Sequence, residues 1–239
     1  QRVFAFQPHA THFLSTPDKL LPLPAEMDPE DAVFLANIET VVNFILDGAP
    51  LIGERVVVLG QGVLGLLTTA LLARFPLKSL LVSDHHPERR AMARRLGAHI
   101  SLDPQQMDTF KGYLPQGADL TYELTGVPEA LNQALAITGF AGRIVLGSWY
   151  GTKAAALDLG GRFHRSRQRL ISSQVSTLTP SLSARWTKTR RLEVAWEMAA
   201  ALNPSQLITH RIPFPEAAQA YRLIDRQPEK TIQVVFTYV

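Results

Sequence analysis

Continuous apolar runs alternate along this chain with segments whose apolar residues recur at helical spacing. Val56-Val57-Val58-Leu59 is one such run, and Leu80-Leu81-Val82 is another. Unbroken runs of this kind predict strands buried on both faces. Strands are expected over 56–59, over a run ending at residue 84, and over 99–102, 118–124, 143–146 and 170–175. Helices are expected after Gly65 and over 87–96, 128–137 and a stretch from 103 or 104 to 113. The connections are short, so parallel strands must be joined by right-handed crossovers. The predicted fold class is α/β, a six-strand doubly wound parallel sheet of the Rossmann type with helices on both faces.

The ends read differently. Residues 1–24 hold RVFAF, THFL and KLLPLP, apolar pieces broken by polar residues and prolines, and predict β-strands with an extended connection. Asp28-Pro29-Glu30-Asp31 opens a helix, with Asp28 as the cap and acids in the first turn. A second helix is expected over 40–46, stopping at Asp47-Gly48. The tail predicts a helix over 187–202, a strand over 208–212, a helix over 215–224 and a strand over 231–238. These follow six sheet strands and are expected to pack elsewhere, with the N-terminal strands.

Gly60-Gln61-Gly62-Val63-Leu64-Gly65 joins the first sheet strand to its helix, and Asp84 lies 19 residues past Gly65. This spacing suits a dinucleotide. Gly60 turns the chain out of the strand, Gly62 lets a pyrophosphate approach the backbone, and Gly65 lets helix pack on strand. The first N–H groups of the helix favour phosphate. Asp84 is expected to accept hydrogen bonds from a ribose diol and to repel a 2′-phosphate, which favours NAD over NADP. A ligand-free tight turn would explain one glycine but poorly explains three.

Composition narrows the picture. The 239 residues are 46% hydrophobic and 19% charged, enough for a large core. The net charge of +3 has no dominant block of one sign, so no nucleic-acid partner is implied. Without cysteine there are no disulfides or thiolate metal sites. No apolar run reaches about 18 residues, so no membrane span is expected. The start lacks the order of a signal peptide, and a cytoplasmic setting is expected. With no initiator Met, and with residues 1–6 reading as mid-strand, the chain looks like a fragment of something longer.

Other polar clusters have a bland and a functional reading. His9 and His12 lie on opposite faces of a regular strand and are read as strand-end residues rather than metal ligands. The arginine-rich run 162–169 is read as a solvated connection, the alternative being an anion site near the cofactor cleft. Trp186 is expected to be buried by a helix starting at 185, the alternative being stacking on nucleic acid. His85-His86 belongs with the adenosine end. Glu123 is expected to orient the loop after its strand, with no acid–base role.

The order of these pieces resembles the medium-chain dehydrogenase/reductase superfamily, which includes zinc-type alcohol dehydrogenases and zinc-free reductases. The resemblance is carried by RVFAF, LPLPAEMDPEDAVFLANIETVVNFI, GERVVVLGQGVLGLLTTALL, SDHHPERRAMARRLGA, GADLTYELTG, GRIVLGSW, ISSQVS and LITHRIPFPEAAQAYRLI, nearly the whole chain. It implies a remnant of a GroES-like β domain over 1–36, an NAD(P)-binding domain over 37–176, and a segment over 177–239 returning to the first domain. It also implies that most of the GroES-like domain lies outside this chain.

By motif position, the resemblance counts Val63 among the cofactor contacts and puts Leu64 against the nicotinamide, Asp84 and His85 at the adenosine ribose, and Arg89 on the adenine side. Leu124, Thr125 and Gly126 pass the ribose. Leu146, Gly147 and Ser148, with Ser173 to Val175, offer backbone groups to the carboxamide. Thr40 is the catalytic candidate, near the nicotinamide. The family's later zinc ligand falls near Ala36, where Glu39 is a poor substitute, so a zinc-free site is favoured and no metal ligand is assigned. Gln233 stands where a pyrophosphate-binding Arg is usual, with Arg211 or Lys230 as helpers. The implied activity is hydride transfer between NAD(H) and a small alcohol or carbonyl, with a homodimer formed through the sheet edge. The alternative is an inert nucleotide-binding or interaction module. This polypeptide alone is expected to be inactive.

Overall fold

The computed structural model describes residues 1–238. Its centre is a six-stranded parallel sheet built from β3 (Arg55–Leu59), β4 (Ser79–Ser83), β5 (Ile100–Leu102), β6 (Ala118–Glu123), β7 (Thr138–Leu146) and β8 (Arg169–Ser172). The spatial order is β5-β4-β3-β6-β7-β8. The chain starts in the middle, works out to one edge, then returns to build the other half. Order therefore reverses between β3 and β6, leaving a crevice at their carboxyl ends.

Alternation along the strands explains the two layers. Val56 and Val58 point to one face, with Leu80, Val82, Leu120 and Tyr122, and meet α2 (Leu35–Gly48), α3 (Val63–Leu72) and α7 (Lys188–Leu202). Val57 and Leu59 point to the other, with Leu81 and Ile144, and meet α5 (Met107–Tyr113) and α6 (Pro128–Ile137). Both faces are covered, so the middles of β3 and β4 are unbroken apolar runs, whereas β6 alternates Leu120 and Tyr122 with the buried polar residues Thr121 and Glu123. α4 (Pro87–Arg95) lies on the first face through Ala93.

The ends form two small sheets. β1 (Val3–Phe4) pairs antiparallel with β2 (Leu21–Pro22), and β9 (Ile208–Pro213) pairs parallel with β10 (Gln233–Thr237). The loop between β1 and β2 meets the second of these sheets: His9 lies edge-on to Phe236 at 4.7 Å and its Nδ1 is 3.1 Å from the Tyr238 hydroxyl. α1 (Pro29–Ala32) is capped by Asp28, whose carboxylate accepts the Glu30 N–H at 2.8 Å. The tail divides, because α7 buries Ala195, Ala199 and Leu202 in the sheet's core while β9, α8 (Ala217–Arg226) and β10 gather near the N-terminal residues.

Several expectations need correction. The THFL stretch forms no strand, and only two residues of RVFAF pair, since polar and proline neighbours interrupt any longer ladder. α2 begins at Leu35 rather than at residue 40, because Leu35, Ile38, Val41 and Val42 make a continuous buried stripe. The sixth strand ends at Ser172, short of residue 175. Trp186 is half-buried and lies ahead of α7, and Arg190 places its guanidinium 4.3 Å from the ring centre.

Candidate functional site

The glycine turn is tight because its neighbours leave no room. Gly60 has φ +88, and a Cβ there would lie 2.8 Å from the Leu124 carbonyl oxygen. A Cβ on Gly65 would lie 1.9 Å from the Gly60 oxygen, so only glycine allows α3 to pack so close to β3. Gly62 differs: a Cβ there meets nothing within 4 Å. Its backbone faces open space at the start of α3, where the first N–H groups lack intrahelical partners. An approaching phosphate fits that cradle.

Asp84 follows β4 and is 8% exposed. Its Oδ2 accepts the Gln61 N–H at 2.7 Å and its Oδ1 accepts the His86 N–H at 2.8 Å. The carboxylate thus ties the glycine turn to the start of α4, and each oxygen keeps a lone pair for a further donor. Arg89 Nη1 lies 4.0 Å from Oδ2.

These groups border a cleft of about 310 Å³ at the β3/β6 reversal, lined by Gly60, Gly62, Asp84, His85, Arg89, Leu124 and Thr125. Seven sequence-derived candidates therefore converge. Glu129 and Gln133 of α6, Val127, Pro104 and His86 also line it. His86 was expected at the adenosine end, but the other four were missed because no motif marks them; the one signal was the i, i+4 spacing of Glu129 and Gln133 on one helix face.

A second group lies at the carboxyl ends of β6, β7 and β8. Glu123 is fully buried; its carboxylate accepts the Thr125 N–H at 2.7 Å, the Thr125 hydroxyl, and the Tyr150 hydroxyl at 2.7 Å. Burial is the main cause that raises the Tyr150 hydroxyl pKa, with the Glu123 hydrogen bond adding to it. Gly126 N–H donates to Ser148 Oγ at 2.9 Å, and Lys153 donates to the Gly126 carbonyl at 3.0 Å. The loops after β6 and β7 are stapled together, and Glu123 orients the first of them, as expected. Gly147 packs under Phe44 of α2 and beside Leu124. Val63 and Leu64 lie half-buried against the core, and Val175 is half-buried past β8.

Ser173 is more committed than expected. Its N–H donates to the Leu146 carbonyl at 3.0 Å, and its hydroxyl donates to Asp47 Oδ2 at 2.5 Å. Asn43 donates to both Asp47 and Ser173. Burial raises the Asp47 pKa, opposed by the Ser173 hydrogen bond and the charge of Arg191. Arg191 on α7 is 2% exposed; it donates to Glu39 at 2.8 Å and to Asn43 Oδ1 at 2.7 Å. Thr40 sits within α2 and donates to the Ala36 carbonyl at 2.9 Å. That bond spends the hydroxyl proton that a catalytic role at the nicotinamide would need.

Other side chains lie away from their expected partners. Glu39 is held by Arg191, and among the described residues no three His, Asp or Glu side chains converge on a metal-sized site. The residues present do not fit a zinc ion. Arg89 does not stand free on an adenine wall, because its Nη2 donates to the Pro228 and Thr231 carbonyls at 2.7 and 3.0 Å. Arg211 pairs with Glu30 and Lys230 donates to Gln227, so neither is poised as a phosphate helper. The arginine-rich run 162–169 ends where β8 begins, at the amino edge of the sheet and opposite the cleft. Its reading as an anion site near the cofactor falls.

A sequence profile of the zinc-binding dehydrogenases matches residues 63–192. Over 229 residues the chain is 27% identical to D-guloside 3-dehydrogenase of Escherichia coli K12, covering 92% of this chain and 65% of that one. It is 32% identical to L-threonine 3-dehydrogenase of Pyrococcus furiosus over 127 residues, 52% of this chain and 36% of that one. The chain thus spans less than two thirds of the length of these relatives. Its fold matches an alcohol dehydrogenase of Escherichia coli CFT073 complexed with NADH, with a TM-score of 0.80, 20% identity, and coverage of 94% of this chain and 64% of that one. It also matches a protein of Sinorhizobium meliloti 1021 solved with NADP, with a TM-score of 0.72, 20% identity, and coverage of 93% and 61%. The chain belongs to the zinc-binding dehydrogenase family, within the medium-chain dehydrogenase/reductase superfamily.

Proposed function

We propose that this chain is the coenzyme-binding part of an oxidoreductase that passes hydride between NAD(H) and a small alcohol or carbonyl, polyols included. The observation that carries the reading is the cleft where Gly62 offers open backbone beside the Asp84 carboxylate. In this reading the first N–H groups of α3 meet the pyrophosphate, and Asp84 accepts a ribose diol with its remaining lone pairs. His85 borders the adenosine. Leu124, Thr125 and Gly126 guide the dinucleotide across the sheet, and Val63 and Leu64 pack beside its nicotinamide. Backbone groups of Leu146, Gly147, Ser148 and Val175, with the Ser173 carbonyl, hold the carboxamide. The bound dinucleotide would supply or accept the hydride; this chain's residues bind and orient it. Asp84 disfavours a 2′-phosphate, so NAD is preferred to NADP.

Residues 37–176, joined by α7, would form the coenzyme domain, with 1–36 and the rest of 177–239 belonging to a second unit. The outer edge of β8, where Leu170 is 37% exposed, is the proposed homodimer edge. A second reading, a nucleotide-binding chain that performs no catalysis itself, is favoured by Thr40, whose hydroxyl is spent within α2. A thermal melt with NADH or NADPH tests the shared part of both readings. A ligand that binds the native state at 100 times its Kd adds about 2.7 kcal/mol, so NADH should raise the Tm and NADPH should raise it less. No shift with either at millimolar concentration would reject the cofactor assignment. Turnover of polyols with NAD by a protein containing this chain would separate the two readings.

A further inference from the structure

We propose that Arg89 couples occupancy of the adenosine end of the cleft to the C-terminal segment 228–237, acting as a positioning residue between them. The inference rests on the nucleotide reading given above. Arg89 is on α4, lines the cleft, and has its guanidinium 4.0 Å from the Asp84 carboxylate. The same guanidinium donates through Nη2 to the Pro228 and Thr231 carbonyls, 139 and 142 residues further along the chain. Its Nε is buried and has no hydrogen-bond partner among the described residues.

The far side of this bridge is well anchored. Thr231 is 4% exposed, and the Ile232 N–H donates to Thr209 Oγ1 at 3.2 Å. The Thr209 hydroxyl donates in turn to the Gln233 carbonyl at 3.0 Å, so the segment held by Arg89 is tied to β9. Parallel pairing of β9 and β10 carries that restraint as far as Phe236, which packs against His9. One cation therefore touches the acid expected to hold the ribose and the backbone of the segment that meets the N-terminal residues. A ribose hydrogen-bonded to Asp84 would fix the carboxylate and hold Arg89 beside it, which strengthens the grip on 228–231. Coupling of this kind is reciprocal, so ordering the segment would also favour the nucleotide.

Hydrogen–deuterium exchange with and without saturating NADH tests the coupling, using wild type, Arg89→Gln and Arg89→Lys. In wild type, NADH should slow exchange at 60–66 and, by about fivefold or more, at 228–237. With NADH raised until each variant is saturated, Arg89→Gln, whose affinity should be lower, should still show slowing at 60–66 but none at 228–237. Arg89→Lys retains the charge but not the forked geometry, and should restore at most part of it. Retention of full slowing at 228–237 in Arg89→Gln would overturn the proposal. Absence of slowing at 60–66 in wild type would instead overturn the nucleotide reading on which it rests. The unliganded exchange pattern of each variant at 60–66 checks that it is folded.

Discussion

The Gln61 amide and the Asp84 carboxylate are 2.7 Å apart, so the glycine turn and the tip of the second sheet strand are joined before any ligand arrives. The acid has two tasks: it holds the turn in shape and, on the proposed function, receives the ribose. Asp84→Ala should cost about 1.5–3 kcal/mol of NADH binding, the range for a hydrogen bond to a charged group. NADPH should lose less, because the removed charge also opposed the 2′-phosphate. Parallel titrations of both cofactors check this, and equal losses would remove Asp84 from the ribose.

The three glycines should separate cleanly. Gly65→Ala puts a methyl 1.9 Å from the Gly60 oxygen, so the helix must shift, and overpacking of this kind costs about 1–3 kcal/mol or more. Gly62→Ala meets nothing within 4 Å and has φ −68, which alanine adopts freely. Its stability should stay within about 0.5 kcal/mol of wild type, while NADH binding falls. Urea unfolding beside a cofactor titration distinguishes these. A Gly62→Ala variant that binds NADH normally would show that no phosphate approaches this backbone.

Arg191 should be a strong determinant of stability. It is almost fully buried with Glu39 and Asn43 as partners, and removing one member of a buried pair costs about 3–5 kcal/mol. Arg191→Met should lower stability by about that amount, and adding Glu39→Gln should recover part of it. Chemical denaturation of the single and double variants measures the coupling; strictly additive losses would contradict a direct pair.

Asp47 sets a pH dependence. Burial raises its folded pKa above the ordinary 3.8, so the folded state holds the proton more tightly than the unfolded chain. Its contribution is fully present below the unfolded pKa and declines as pH rises through the folded one. Asp47→Asn removes this titration while keeping an acceptor for Ser173 and Asn43. Stability of wild type relative to Asp47→Asn should therefore fall from pH 4 upward, as followed by thermal melts across pH. A difference that does not change with pH would show that Asp47 does not titrate on unfolding.

The sheet was legible because its strands carry their own signal. Val56 to Leu59 is apolar at every position, which only burial on both faces rewards, and the glycines and Asp84 mark where its carboxyl edge must lie. What could not be read depends on distant partners. Arg89 lines the cleft as read, but nothing near it in sequence announces the Pro228 and Thr231 carbonyls that its guanidinium also holds. Glu39 reads from the sequence as a poor substitute for a metal ligand, and nothing near it announces its partner Arg191, 152 residues away. Thr40 looked like a helix start because the buried stripe beginning at Leu35 mixes with polar residues that hide its phase. Local periodicity reports burial; it does not report which charged groups tertiary packing brings together.

Calorimetric titration of the purified chain with NADH tests the central claim most directly. The account predicts saturable binding at one site per chain, weakened by Asp84→Ala and by Gly62→Ala. No saturable heat or binding signal up to millimolar NADH, from a chain shown to be folded, would contradict it.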